Sequence, residues 1–175
     1  MSTLTLKELS APAGEVIKIA AGKTLDLKSQ GSVTMPTGSV LQVVSYNRTN
    51  TENGGFLLTT TGTSMSPTSA LALSITPTST TSKIYVQITV GVYISNGGAL
   101  TIYRDSTNLG GASYGFAQLH GATGSWRPAT LQHLDSPNTT SAVTYKVGGR
   151  VTSGTLYIGG DGDQVNTITL MEIQG

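Results

Sequence analysis

One run in the chain has the spacing of a serine nucleophile. Residues 111–115, Gly-Ala-Ser-Tyr-Gly, match the G-x-S-x-G pattern of serine hydrolases, in which the central serine attacks a carbonyl carbon. That chemistry requires a strand–turn–helix elbow that exposes the serine, with a histidine and an acid to activate it. Nothing around this run predicts a helix, and a chain with 22 glycines produces the pattern easily by chance. We therefore interpret the run as a glycine-rich surface loop.

Histidines and paired aspartates are the next candidates, because they are ligands of zinc and calcium. His120 and His133 are the two histidines, so a zinc site within one chain would need carboxylates as well; if three copies assembled, one histidine from each could meet on the axis. Asp161 and Asp163 resemble part of a calcium loop, but the third acidic position and the distal glutamate of an EF-hand are absent. The sequence favours ordinary histidines and a plain hairpin turn, and it predicts no metal and no cofactor.

Aromatic side chains are concentrated in the longest stretch without strand signals, residues 105–128. Long loops on a rigid β scaffold often form binding surfaces, and Trp, Tyr and Arg are favoured at contact hot spots. The predicted receptor-binding residues are Tyr114, Phe116, His120, Trp126 and Arg127. The alternative is that Trp126 and Phe116 cap the core or pack across a subunit interface.

The composition indicates what positions these residues. Ser and Thr together make up 47 of the 175 residues, Gly adds 22, and only 11% are charged, so strand and turn formers dominate and the fold class is all-β. A net charge of +1 without a Lys/Arg run argues against nucleic-acid binding and against an anionic membrane surface. The chain has no cysteine, so disulfides and thiolate metal sites are excluded. Neither a signal peptide nor a stretch of transmembrane length is present in the sequence, so we expect no membrane insertion.

Residues 81–95 carry the strongest structural signal. Apolar and polar side chains alternate through this stretch, which is typical of a half-buried β-strand. One face would carry Ile84, Val86, Ile88, Val90, Val92 and Ile94. Burying six such side chains contributes roughly 9 to 18 kcal/mol before the costs of folding. We predict that this strand is the floor of a core.

Eight further strands are predicted at short spacing, at residues 40–46, 56–60, 71–76, 99–104, 129–134, 142–151, 155–158 and 167–173. The run Asn96-Gly97-Gly98 predicts a tight hairpin between the central strand and the next one, because Asn and Gly supply the positive φ of such turns. The last strand is too apolar for a tail and belongs inside a sheet. Nine strands over residues 38–175 are typical of a jelly-roll-like β-sandwich.

The N-terminal part predicts two different elements. Residues 1–13 form an arm too small to hold itself in place, which would anchor through Leu4, Leu6 and Leu9. Residues 14–37 form a short β stem and hinge, whose apolar side chains are Val16, Ile17, Ile19, Leu25, Leu27, Val33 and Met35. Ordering the stem costs on the order of 30 kcal/mol and its apolar side chains return about 10 to 20, so it needs a partner. The alternative is a disordered linker.

Five segments, in a consistent order over nearly the whole chain, carry a family resemblance. They are residues 22–44 (GKTLDLKSQGSVTMPTGSVLQVV), 73–86 (LSITPTSTTSKIYV), 102–110 (IYRDSTNLG), 135–147 (DSPNTTSAVTYKV) and 167–173 (TITLMEI). The sequences of these segments resemble those of virion proteins of tailed bacteriophages, especially of marine and cyanobacterial phages. The resemblance implies a homotrimer with a β-rich stem and a jelly-roll-like knob, and it carries no functional residues with it.

The leading functional hypothesis is a non-enzymatic virion structural protein. It would be a homotrimeric fibre or appendage, assembled in the host cytoplasm, with the arm bound to other capsid or tail proteins and the knob adhering to a host surface glycan or protein. The alternative is a capsid decoration (cement) or head-fibre protein docked on the shell by its N-terminal arm, which would add a strand at Leu4 and Leu6. A carbohydrate-active enzyme is a third hypothesis, but no motif places the paired carboxylates that it would need.

Overall fold

The computed structural model describes residues 21–22, 35–49, 55–120, 126–160 and 162–175. The chain divides into two units, Met1–Thr34 and Met35–Gly175. The predicted arm and the predicted stem, apart from residues 21–22 and 35–37, lie outside the described residues. Among the described residues there is no helix long and apolar enough to cross a membrane.

The described part of Met35–Gly175 contains β-strands and no helix, so the all-β prediction is confirmed. The strands are β1 (Val40–Thr49), β2 (Leu58–Thr60), β3 (Ser66–Ile75), β4 (Lys83–Ile94), β5 (Gly97–Arg104), β6 (Thr107–Asn108), β7 (Ala117–Leu119), β8 (Arg127–Asp135), β9 (Val143–Ser153), β10 (Leu156–Ile158) and β11 (Val165–Ile173). The first sheet has the order β1-β11-β4-β10-β2, with β8 also paired to β4. The second has the order β3-β9-β5-β6, with β7 also paired to β5. All the pairings are antiparallel, and the arrangement is sandwich-like.

Strand β4 is the floor of the core, as the alternation predicted. Its six inward side chains, from Ile84 to Ile94, are each at most 1% exposed. They pack with the inward side chains of β5, β9, β10 and β11 in one continuous cluster that includes Leu100, Ile102, Val147, Leu156, Ile168 and Leu170. The prediction that the last strand lies inside a sheet is also confirmed, because β11 runs between β1 and β4.

The predicted tight hairpin at Asn96-Gly97-Gly98 is wrong. Strand β4 pairs with β8, β10 and β11, whereas β5 pairs with β6, β7 and β9, so the chain crosses from one sheet to the other at this point. Both strands are apolar on their inward faces, and the crossing sets Ile94 of the first sheet and Leu100 of the second in the same core cluster. The bend is fixed by Ser95, whose backbone N–H donates to the Thr155 carbonyl at 3.1 Å.

Two other elements differ from the sequence-based expectation. Strand β3 begins at Ser66 rather than at residue 71, and its pairing with β9 shifts register between Pro67 and Ala72. Residues 105–128, predicted as irregular, contain the two short strands β6 and β7. Strands of two and three residues are too short to show an alternating pattern, so their pairing to β5 is determined by the neighbouring strand rather than by their own sequence.

The outer face of the first sheet carries two rows of polar side chains. Outward positions of neighbouring strands form rows, and two rows contain only Ser, Thr, Asn and Gln side chains: Ser45, Thr169, Gln87 and Gln132, then Asn47, Thr167, Thr89 and Thr130. Hydroxyl groups pair across strands, with Ser45 Oγ 2.9 Å from Thr169 Oγ1 and Thr89 Oγ1 3.1 Å from Thr130 Oγ1. We refer to these two rows as the polar belt.

Next to the polar belt, at the end of the sheet where the chain enters from Met35, lies an apolar row. Four outward side chains in register across β1, β11, β4 and β8 form it: Val43, Met171, Tyr85 and Leu134. The side chains at the two edges are strongly exposed, Val43 at 54% and Leu134 at 49%.

Two buried carboxylates, Asp135 and Glu172, lie at this same end of the sandwich. Ile84 of β4 is paired with Glu172 on one side and with Asp135 on the other. Asp135 accepts hydrogen bonds from Arg104 Nη1 at 2.8 Å and from Tyr145 Oη at 2.7 Å, so it ties β8 of the first sheet to β5 and β9 of the second. Burial raises the pKa of Tyr145, and its hydrogen bond to Asp135 raises it further, which keeps the phenol protonated as a donor.

Glu172 is fully buried and surrounded by donors. Its Oε1 accepts from the backbone N–H and the hydroxyl of Thr78, both at 2.7 Å, and its Oε2 accepts from Gln42 Nε2 at 2.7 Å. Burial raises the pKa of this carboxyl, but the nearby Ser82 hydroxyl and the hydrogen bonds from Gln42 and Thr78 outweigh burial, and the net pKa is lowered. The carboxylate therefore stays ionised in the folded state.

We predict that Glu172 makes the sandwich sensitive to acid. Because its pKa is lower in the folded than in the unfolded chain, its stabilisation is fully present above the ordinary value of 4.5 and is lost as pH falls through the folded pKa. Glu172→Gln should lower the free energy of unfolding at neutral pH by about 1 to 3 kcal/mol, since the amide presents a donor to the donors around it. It should also flatten the decline below pH 4.5, measured by urea unfolding at several pH values.

The control is Asp163→Asn, the same chemical change at an exposed position. An unchanged acid slope in Glu172→Gln would contradict this account of Glu172.

Candidate binding site

Four aromatic side chains form an open cleft on the outer face of the first sheet. They are Phe56, Tyr93, Trp126 and Tyr157, and the cleft has a volume of about 310 Å³. The chain has ten aromatic residues of the Phe, Tyr and Trp types, so nearly half of them meet here. We call this feature the aromatic cleft.

Strand register brings these rings together. Tyr93 of β4 is paired with Tyr157 of β10, and both point outward because their neighbours in sequence are buried on the inward face. Trp126 directly precedes β8, whose first residue Arg127 is paired with Val92. Phe56 comes just before β2, where the backbone N–H of the next residue donates to the Ile158 carbonyl at 2.8 Å. The cleft therefore spans β2, β10, β4 and β8.

The rings contact one another at angles rather than in a flat layer. Tyr157 lies at the centre, with its ring centroid 4.9 Å from Phe56, 5.8 Å from Tyr93 and 6.5 Å from Trp126. Trp126 is 5.5 Å from Phe56 and 5.6 Å from Tyr93. Interplanar angles range from 30° to 72°, and such tilted pairs suit the charge distribution of aromatic rings. The four rings therefore surround a concave space that a ligand can enter.

A buried asparagine and a glycine hold β10 in its place beside β4. Asn166 Nδ2 donates to the Gly159 carbonyl at 2.7 Å, and its Oδ1 accepts from the Gly91 N–H at 3.0 Å. The Gly159 N–H donates to the Gly91 carbonyl at 2.8 Å. A Cβ at Gly91 would lie 2.0 Å from Gln164 Oε1 and 2.6 Å from Gly160 Cα, so only glycine allows this close approach. These hydrogen bonds at Gly159, two residues after Tyr157, hold the end of β10 beside β4 and so position the Tyr157 ring.

The structure separates the five residues predicted as a receptor-binding surface. Trp126 lines the aromatic cleft. Phe116 packs against the core with its ring 5.0 Å from that of His133, so it takes the core-capping position that was the alternative for it. Tyr114 is 59% exposed and lies outside the cleft lining. Arg127 Nη2 donates to the His120 carbonyl at 3.0 Å, which ties the end of β7 to the start of β8 beside Trp126.

The G-x-S-x-G run forms a closed turn between short strands. The Gly115 N–H donates to the Gly111 carbonyl at 2.8 Å, and the next residue hydrogen-bonds the Leu100 carbonyl, also at 2.8 Å. The carbonyl of Ser113 accepts from Arg150 Nε at 2.7 Å. No helix follows the serine, so the elbow that the hydrolase motif requires is not formed here.

Within the described ranges, no group of three or more His, Asp and Glu side chains is close enough to hold a metal ion. The two histidines lie apart in sequence and environment. His120 follows β7 and is exposed, whereas His133 is in β8 and its ring contacts that of Phe116. Asp163 is exposed, and Asp161 lies outside the described residues.

The aromatic cleft lies at the opposite end of the sandwich from the chain entry. The Gly38 N–H donates to the Gln174 carbonyl and Val40 is paired with Ile173, which places the start of this unit beside Lys83 of β4. Tyr93 is ten residues further along the same strand, about 30 Å away at the rise of an extended chain. The buried carboxylates Asp135 and Glu172 are at the entry end, so they are remote from the cleft.

Three of the four cleft residues were missed from the sequence. Phe56, Tyr93 and Tyr157 stand alone among polar or aliphatic residues, whereas Trp126 lies in an evidently aromatic stretch. The position of Tyr93 and Tyr157 in the alternating pattern of their strands could have identified them. Each is a bulky aromatic at an outward position, where a soluble sheet more often carries a polar side chain.

Comparison of the chain with protein-family models gave no match, and comparison with curated proteins gave no relative. The case for function therefore depends on the geometry.

We predict that Tyr157 is the ring on which the cleft's packing depends. Tyr157→Ala removes three ring contacts, at about 0.5 to 1.5 kcal/mol for each pair, and should lower the free energy of unfolding and change the near-UV circular dichroism. Tyr114→Ala is the matched control, since that ring is 59% exposed, and should change stability by less than about 0.5 kcal/mol. Equal effects of the two substitutions would contradict the described ring packing.

Proposed function

We propose that the protein is a non-enzymatic structural protein of a phage virion, a homotrimeric fibre or appendage whose β-sandwich adheres to the host surface through the aromatic cleft. The observation that carries this proposal is the position of the cleft, at the far end of β4 from Met35. A domain held at one end and open at the other presents its binding surface away from the particle. The resemblance of five sequence segments to phage virion proteins supplies the virion context.

The chemistry of the cleft supports adhesion rather than turnover. Its lining is aromatic, and the aromatic side chains are those that most often carry contact energy in binding surfaces. Acid–base catalysis on a sugar or ester would require carboxylates or a histidine within hydrogen-bond reach of a ligand, and none is among the described residues that line the cleft. Binding without chemical change is what such a surface does.

The homotrimer is supported by two surfaces of different kinds. The predicted stem, whose apolar side chains need a partner, is one of them. The apolar row on the outer face of the sandwich is the other, because Val43 and Leu134 are exposed in register with Met171 and Tyr85. The apolar row lies at the chain-entry end of its sheet, so contacts between copies through this row leave the cleft free.

We predict that light scattering will give the full chain a mass of three times 18.0 kDa. A shortened chain that begins at Met35 keeps the turn in which Gly38 hydrogen-bonds Gln174, and it should fall to the mass of one chain if residues 1–34 hold the trimer. If the shortened chain is still a trimer, the double substitution Val43→Ser and Leu134→Ser should dissociate it.

A full chain that is monomeric would contradict the homotrimer. In that case the alternative, a capsid decoration protein docked by its N-terminal arm, would explain the virion context better.

A further inference from the structure

We infer that the aromatic cleft binds a neutral carbohydrate, an inference that rests on the proposed adhesive function and specifies its ligand. The first argument is charge. No charged side chain is among the described residues that line the cleft. Arg127 follows Trp126 in sequence, but it is paired with the inward-facing Val92 and its Nη2 is engaged by the His120 carbonyl. An anionic ligand would find no cation to offset the loss of its hydration, so the favoured ligand is uncharged.

The second argument is the pairing of apolar faces with unused polar groups. The hydroxyls of Tyr93 and Tyr157 and the indole N–H of Trp126 make no hydrogen bond with the described part of the protein, and none is among its buried polar atoms without a partner. They are therefore open to a ligand. A pyranose ring presents C–H groups of partial positive charge on its faces, which suit the negative faces of aromatic rings, and hydroxyls at its edge. A purely apolar ligand would leave the three polar groups without partners.

The third argument is size and surroundings. At about 310 Å³ the cleft is at the lower end of the range for small-molecule sites, enough for a short saccharide or the end of a glycan chain. Aromatic grooves also bind proline-rich peptides, which need a groove several residues long at about 3.1 Å per residue. Four tilted rings around one small open cleft suit a compact ligand better, and the hydroxyls and amides of the polar belt lie on the same outer face of the sheet.

The test uses the full chain and its one tryptophan, which is in the cleft and reports on it directly. The emission of Trp126 is followed during titration with four neutral disaccharides, namely cellobiose, lactose, mannobiose and N,N′-diacetylchitobiose. A galacturonate trisaccharide and a proline decapeptide are the comparison probes. We expect at least one neutral saccharide to give a saturable change, with a Kd of about 1 mM or below.

Three variants identify the site. Phe56→Ala, which removes a ring at the exposed rim, should weaken binding at least about tenfold. The double substitution Tyr93→Phe and Tyr157→Phe keeps the rings and removes the hydroxyls, and should weaken binding by a similar factor. Tyr114→Ala should leave binding unchanged. A cooperative urea unfolding transition confirms that each variant is folded.

Two results would overturn the inference: no response to any neutral saccharide up to about 50 mM, or binding of the charged saccharide or the peptide in its place. Adhesion of labelled full chain to marine cyanobacterial cells separates this failure from that of the proposed function. If saccharides fail but Phe56→Ala still lowers adhesion, the adhesive function stands and the ligand class is wrong. If the wild type and Phe56→Ala do not differ in adhesion, the cleft is not the adhesive surface and both proposals fail.

Discussion

Burial of the inward face of β4 is the constraint on which the rest of the sandwich depends. Its six aliphatic side chains are almost wholly removed from water, and the strand pairs with β11, β8 and β10. Because side chains alternate strictly along a strand, a slip of one residue would turn all six to solvent. The same register that buries Val92 and Ile94 therefore turns Tyr93 outward, and pairing with β10 sets Tyr157 beside it. The cleft on the outside follows from the packing on the inside.

The sequence contains enough information for the core and too little for the path of the chain. The alternation in β4 and the apolar character of β11 predict both strands and their burial, because those signals are local. Asn96-Gly97-Gly98 predicts a hairpin equally locally, yet the chain crosses between sheets there, and the apolar faces of β4 and β5 meet in one core from different sheets. Turn chemistry permits both connections, and the choice depends on packing over the whole unit.

For the same reason, only one of the four residues that line the cleft, Trp126, was predicted from the sequence. Trp126 stands out in its own stretch, but its partners come from three other strands or strand ends whose pairing no short segment encodes. The buried carboxylates are similar, since Glu172 gains its donors from Gln42 and Thr78, which are 130 and 94 residues away in sequence. Nothing in the run T-L-M-E-I indicates that its one acid is buried and accepts three hydrogen bonds from distant parts of the chain.

The positions of chain entry and cleft also determine how the domain carries mechanical load. A pull between Met35 and a ligand held at Tyr93 acts along the strands, parallel to β1 and β11, which are joined through nine paired positions. Hydrogen bonds between antiparallel strands lie across the strand direction, so such a force shears all of them together instead of opening them one at a time. Tension of this kind loads the strongest direction of the sheet, and a domain built this way suits a tether that must hold against flow.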